Sequence, residues 1–362
     1  MPNRWPEGNA LVYCQGSFST PNGKTAHGLV RFTRRYRVLA VIDRSCAGHD
    51  AGLLLDGRAS GIPIVPTVKQ ALLRDFERRP THLVIGLAPD GGRLPERARK
   101  EIREALRARL HVDSGLHDFL SQDPEFASLA RRHHVRIRDV RMPPPRSDLH
   151  FFSGDIEKVG SLRIALLGTD SAVGKRTTAW RVVDDLNRRG ISAEMIGTGQ
   201  TAWLQGARYG IILDSLVNDF VSGELEHAVV KAWREQRPKV MVIEGQGSLM
   251  NPAYPGGFEI LAATRPHLVI MQHAPSRRDY DGFPGYRLHP LARQIAAVEL
   301  LSQKPVIAVT VNHEGLTPDQ TRAACRSIQR QTGLPAVDVL LDGPEKITDI
   351  VVRRLRSLPR RQ

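Results

Sequence analysis

Cysteine is nearly missing from this chain: Cys14, Cys46 and Cys325 are its only three among 362 residues. So few, in odd number and widely spaced, they support neither a disulfide framework nor a zinc ribbon. The thiols are read as reduced, with Cys325 packing in a helical pattern. No apolar run reaches the ~18 residues that a membrane span requires. The opening Met1-Pro2-Asn3-Arg4-Trp5-Pro6 lacks the charged-then-apolar plan of a signal peptide, so a cytoplasmic protein without membrane partners is expected. Aromatic residues make up only 6%, and no helix-turn-helix, zinc finger or aromatic RNA-binding signature occurs. Internal repeats and low-complexity runs are absent too. Acidic residues are outnumbered, leaving a net charge of +14. The excess arginine gathers at Arg34, Arg35 and Arg37, from Arg97 to Arg109, from Arg131 to Arg141, and from Arg353 to Arg361. Most of it falls on the polar sides of helical patterns. Solvated faces that steer a small anionic substrate explain it better than nucleic acid does.

What is present alternates strands with helices, at a length that suggests two domains. In the first segment, residues 10–14, 37–42, 62–65, 82–87 and 135–140 read as strands, and 68–78, 95–110 and 119–132 as helices. Met142-Pro143-Pro144-Pro145 then breaks the pattern, because three prolines can continue neither a helix nor a central strand. We expect one domain over 1–150 and a second over 151–362. In the latter, strands are expected at 162–167, 191–196, 240–243, 267–271, 305–311 and 337–341. Helices are expected at 177–189, 223–236, 288–302, 318–332 and 344–357, the fourth opened by a Thr317-Pro318-Asp319-Gln320 capping box. The alternation predicts two α/β domains with largely parallel sheets covered by helices. Ligands should then bind at the carboxyl ends of the strands.

The run Gly168-Thr169-Asp170-Ser171-Ala172-Val173-Gly174-Lys175-Arg176-Thr177-Thr178 links a strand to a helix. Backbone amides of such a loop converge on one concavity, and the helix N-terminus and Lys175 add positive charge, so a phosphorylated ligand is expected there. The common pattern has four residues between its glycines and Ser or Thr after the lysine. Here five separate Gly168 from Gly174, and Arg176 holds the place of the hydroxyl that ligates Mg²⁺. Thr177, one residue on, is the nearest substitute.

Other strand ends supply candidates. Gly197-Thr198-Gly199-Gln200-Thr201 offers close approach and hydrogen-bonding groups. Glu244, in Glu244-Gly245-Gln246-Gly247-Ser248-Leu249, stands where a Walker B acid would hold Mg²⁺ and could equally be a general base. His273 is a candidate proton shuttle, and Arg277 could fork onto a carboxylate or phosphate. Asp214 and Asp219 face the same edge or act as turn and cap residues. In the first segment, Asn22-Gly23-Lys24-Thr25 imitates the end of a Walker loop but lacks its leading glycine, Phe18 standing there. No G-x-G-x-x-G accompanies Asp43, which counts against NAD.

Two resemblances follow. Thr169-Asp170, Val173-Gly174-Lys175 and Val242-Ile243-Glu244-Gly245-x-Gly247 resemble dethiobiotin synthetase and its P-loop relatives. A second resemblance covers nearly the whole chain. It rests on Gly168-Thr169-Asp170-x-Ala172-Val173-Gly174-Lys175-x-Thr177-Thr178, Thr198-Gly199-Gln200-Thr201, Asp219-Phe220-Val221, Glu244 to Leu249, Pro252-Ala253-Tyr254 and His273-x-Pro275-x-Arg277. These are similar to a family that includes the D-glutamate N-acetyltransferases and joins a Rossmann-like N-terminal domain to a P-loop C-terminal domain. In that family cysteine is frequent at the position of Ser171 and histidine at that of Asn251. The resemblance implies acetyl transfer from acetyl-CoA to the amine of a small acidic substrate, D-glutamate, by a homo-oligomer. Gly168 to Thr178 would hold the cofactor, with Glu244 or His273 as base. Gln200, Thr201, Gln246, Ser248, Asn251 and Arg277 would meet the substrate. The dethiobiotin synthetase likeness implies instead an Mg-ATP-dependent ligase or carboxylase, with Thr177 and Glu244 on the metal.

Overall fold

The computed structural model describes residues 6–357; the opening hexapeptide up to Trp5 and the arginines beyond Ser357 lie outside the described residues. The chain divides into two compact units: Met1–Pro143 with Gln200–Gly206, and Pro144–Gly199 with Ala207–Gln362.

The first unit is a six-stranded parallel sheet in the order β3-β2-β1-β4-β5-β6. Its elements are β1 (Gly8–Tyr13), α1 (Lys24–Arg31), β2 (Tyr36–Ile42), α2 (Ala51–Asp56), β3 (Ile64–Val65), α3 (Val68–Leu72), β4 (His82–Ile85), α4 (Glu96–Arg107), β5 (His111–Ser114), α5 (Pro124–Arg132) and β6 (Ile137–Asp139). The helix expected at 119–132 starts late, because Asp123 caps a new helix through the amides of Glu125 and Phe126, with Pro124 in its first turn. Gly23-Lys24 opens α1 rather than forming a lysine-bearing loop. Asp43 accepts from the amides of Ser17 and Phe18 and from Ser45, so its carboxylate closes the loop after β1.

The second unit is a seven-stranded parallel sheet in the order β15-β14-β11-β7-β10-β8-β9. In chain order it holds β7 (Leu162–Gly168), α6 (Lys175–Arg188) and β8 (Ala193–Gly197); then comes α7 (Gln200–Gln205), which belongs to the first unit. Next are β9 (Tyr209–Gly210), α8 (Asn218–Gln236), β10 (Val240–Glu244), α9 (Gly257–Thr264) and β11 (Leu268–His273). A small antiparallel hairpin, β12 (Asp279–Tyr280) and β13 (Phe283–Arg287), precedes α10 (Leu291–Ser302), β14 (Val306–Val311), α11 (Pro318–Thr332), β15 (Ala336–Val337) and α12 (Glu345–Ser357). The central strands are buried on both faces, which is why they read as near-continuous apolar runs. Arg163 is the polar exception in β7. Its guanidinium donates to the carbonyls of Val159, Thr264 and Arg265, the latter two at the end of α9 where helical carbonyls lack partners. The strand expected at 337–341 is only two residues long, since Asp338 turns the chain by accepting from Leu340 and Leu341.

Candidate active site around the phosphate loop

β7 runs up the middle of the second sheet and ends at Gly168. The loop after it enters α6 through Gly174, whose φ of 103° only glycine adopts freely. Ala172 also takes a left-handed φ, of 51°. Such strain, of order 1–3 kcal/mol, gathers at ligand-binding segments. A Cβ on Gly168 would press against Lys175 and Val173 at 3.0 Å and Gln272 O at 3.1 Å, so any side chain there would push these neighbours aside.

Two side chains set the loop's shape. Buried Lys175 donates from Nζ to Asp170 O at 2.6 Å and Gly247 O at 2.8 Å, tying the loop to the turn after β10. Asp170 is fully buried. Its Oδ1 accepts from Ser171 N and Asn251 Nδ2, and its Oδ2 from Arg277 and Asp281 N. Arg277 also donates to Ser171 O at 2.7 Å and to Glu314 at 2.7 Å. Arg277 thus forms a clamp across the loop. Asn251 is likewise engaged: beyond Asp170, its Oδ1 accepts from Ala253 N and Tyr254 N. It organises the turn.

Glu244 ends β10 fully buried. Its carboxylate accepts from Thr198 N at 2.9 Å, and its carbonyl from Thr198 Oγ1. Burial pushes its pKa above the ordinary glutamate value, opposed by the charges of Arg176 and Lys175 and by the Thr198 amide. Glu244 is thereby placed among the loop's cations, with its proton affinity raised. His273 behaves differently. Burial pulls its pKa down to about 4, and Nδ1 lies 3.0 Å from Thr169 Oγ1. It is a neutral ring near pH 7 and a weak base there.

The turn after Glu244 is built from glycines that nothing can replace. A Cβ on Gly245 would lie 2.4 Å from Leu166 O, and one on Gly247, at φ 51°, 1.7 Å from Tyr254 O. Gly245 N donates to Leu166 O, so an oxyanion site in this turn would rest on the amides of Gln246 and Gly247. Gln246 donates to Thr198 Oγ1, and Ser248 is buried in the turn.

Other expected residues fall elsewhere. Thr178 donates its hydroxyl to Gln272 Oε1 at 2.6 Å, as Thr310 does, which ties it into the core. Gln200 and Thr201 begin α7 in the first unit, where Thr201 Oγ1 lies 2.9 Å from Thr25 Oγ1. Neither forms a loop of the second unit. Asp214 and Asp219 are exposed, the latter in the first turn of α8, where negative charge favours the helix dipole. Sequence reasoning missed Gln272, Asn312 and Glu314. Gln272 ties Thr178 to Thr310, and Asn312 donates to Val173 O at 3.0 Å. Their one signal is polarity at the end of an apolar strand. Among the described residues no three His, Cys, Asp or Glu side chains gather as a metal cluster, and no helix is long and apolar enough to cross a membrane.

A strand, a glycine loop capped by lysine, and a buried acid on the neighbouring strand define a P-loop α/β domain, carried in one chain with a Rossmann-like domain. Residues 150–348 match the DUF1611 P-loop domain and residues 44–143 its N-terminal Rossmann-like domain, both described as domains of unknown function. The chain belongs to the DUF1611 family. It is 30% identical over 274 residues to a D-glutamate N-acetyltransferase of Tritonibacter scottomollicae, covering 74% of this chain and 80% of the relative. A D-glutamate N-acetyltransferase of a Pseudoalteromonas species is also 30% identical, over 271 residues, covering 73% and 79%. A solved DUF1611-family structure from Anabaena variabilis is similar with a TM-score of 0.87 at 29% identity, over 96% of this chain and 100% of the other.

Proposed function

We propose that this protein transfers the acetyl group of acetyl-CoA to the amine of an acidic amino acid, D-glutamate. The observation that carries the reading is the phosphate loop with Arg176 in place of the metal-binding hydroxyl. Two successive cations at a helix N-terminus suit the pyrophosphate and 3′-phosphate of coenzyme A, held without being hydrolysed. The D-glutamate N-acetyltransferases at 30% identity support the choice of donor and acceptor.

Lys175, Arg176 and the backbone amides of Ala172 to Arg176 bind the phosphates, with Lys175 exchanging its two carbonyl partners for phosphate oxygens. The acceptor's ammonium must lose a proton before its nitrogen can attack. Glu244 takes that proton. The nitrogen forms a C–N bond to the thioester carbonyl, and the C–S bond breaks with its electron pair going to sulfur. The second amine proton ends on the thiolate, giving amide and free thiol. Amides of Gln246 and Gly247 stabilise the oxyanion, and Gln246 and Ser248 border the acceptor. Thr177 and Glu244 would meet Mg²⁺ only in a nucleotide-dependent reaction.

Thiol release from acetyl-CoA, followed with D- and L-glutamate in parallel, tests this. Release with one enantiomer, together with N-acetylglutamate by mass, is expected. No release with any acidic amino acid, alongside substrate-dependent ADP or phosphate from Mg-ATP, would replace it with the ligase reading.

A further inference from the structure

Two hydroxyls beside the turn after Glu244 lack a hydrogen bond of good geometry. Ser248 Oγ and Tyr280 Oη are both closed to solvent and unpaired among the described residues, and their residues are 3% and 5% exposed. Native folds seldom leave such groups alone, because each has lost its water without gaining a replacement. The two come from separate elements. Ser248 closes the turn, its amide donating to Tyr254 O at 3.2 Å. Tyr280 ends β12, and the next residue, Asp281, donates its amide to Asp170 Oδ2 at 2.9 Å, which ties the hairpin to the phosphate loop. The Tyr280 ring also packs edge-on against His289, with 6.4 Å between centroids.

Burial raises the Tyr280 pKa, opposed by the His289 backbone amide and by the Ser248 hydroxyl beside it, and the Asp170 charge adds to the rise. Tyr280 therefore keeps its proton and acts as a donor, with Ser248 Oγ as a neighbouring acceptor. Ser248 lines an apolar cavity walled by Leu167 and Met271, which reaches Gly168 at the start of the phosphate loop and borders Gln246 and Gly247. An uncharged thioester suits such walls, and a charged group does not. A serine hydroxyl has one proton to give and two lone pairs, so it takes a proton from one atom while giving its own to another.

We propose that Ser248 carries the second amine proton to the leaving sulfur, and that Tyr280 positions it by donating to Ser248 Oγ. The step rests on the acetyl-transfer reading. Once Glu244 holds the first proton and the nitrogen has bonded to the carbonyl carbon, the remaining N–H proton passes to Ser248 Oγ. The serine's own proton passes to sulfur, which takes the electron pair of the breaking C–S bond, and the serine ends unchanged. Steady-state kinetics with two donors test this: acetyl-CoA, and the acetyl thioester of p-nitrothiophenol, whose weakly basic thiolate leaves without a proton. Ser248→Ala should lower kcat with acetyl-CoA about a hundredfold at little change in KM, and the rate with the aryl thioester by less than about threefold. Tyr280→Phe should lower kcat with acetyl-CoA about tenfold, and add nothing once Ser248 is replaced by alanine. A Ser248→Ala kcat above a tenth of wild type, equal losses with both donors, or additive effects of the two substitutions overturns the proposal and leaves the transferase standing. No thiol release by the wild-type chain removes the transferase and the shuttle together.

Discussion

At Gly247 a single hydrogen stands where any side chain would meet the Tyr254 carbonyl. Because that contact is backbone, no side-chain rotation relieves it. Gly247→Ala should cost about 2 kcal/mol or more, read as a lowered denaturant midpoint. His273 carries a pH signature. Its folded pKa of about 4 lies below the 6.5 of an unfolded histidine, so the unfolded chain binds more protons between those values. Stability should therefore fall as pH drops from about 6.5 toward 4, by up to about 3 kcal/mol. Glu244 has the opposite sign: its folded pKa is raised, so stability declines as pH climbs from the ordinary glutamate range through that raised value. Urea titrations across pH on His273→Asn and Glu244→Gln separate the two. An unchanged acid limb in His273→Asn would contradict the first, and an unchanged rising-pH limb in Glu244→Gln the second.

Among the elements, α7 is the least expected. Its Trp203 lies between two guanidinium groups, with Arg35 at 3.6 Å and Arg138 at 4.4 Å from the ring. Arg35 Nε donates to the Trp203 carbonyl at 2.7 Å, and Gln205 Nε2 to the carbonyls of Gly28 and Phe32. Trp203→Ala should loosen this helix by about 2 kcal/mol, seen as faster amide hydrogen exchange over 200–206 with the phosphate loop unaltered. Local pattern could not have shown it. Six residues carry too little periodicity, and Arg35, Gly28 and Phe32 are some 170 residues away in sequence. Elements with strong local rules were legible: the phosphate loop from its glycines and lysine, and α11 from its capping box, where Thr317 and Gln320 bond reciprocally. The clamp of Asp170, Asn251 and Arg277 was not. Each residue type also suits a ligand, and only the fold shows that they bind one another.

For the whole molecule, a charge of +14 invites the idea of nucleic acid. The figure already subtracts every Asp and Glu, yet several arginines are held in local ion pairs. Arg138 pairs with Glu7 and Asp113, Arg99 with Asp123 and Glu125, and Arg189 with Asp185 and Asp349. We expect weak binding to mixed-sequence RNA or DNA that disappears by about 0.15 M salt; affinity that persists there would revive a nucleic-acid role. The most direct test of the account is a calorimetric titration of coenzyme A into the wild-type chain and into Lys175→Ala. Saturable binding that Lys175→Ala weakens at least tenfold is the predicted result. Tight binding of Mg-ATP with no response to coenzyme A would contradict it.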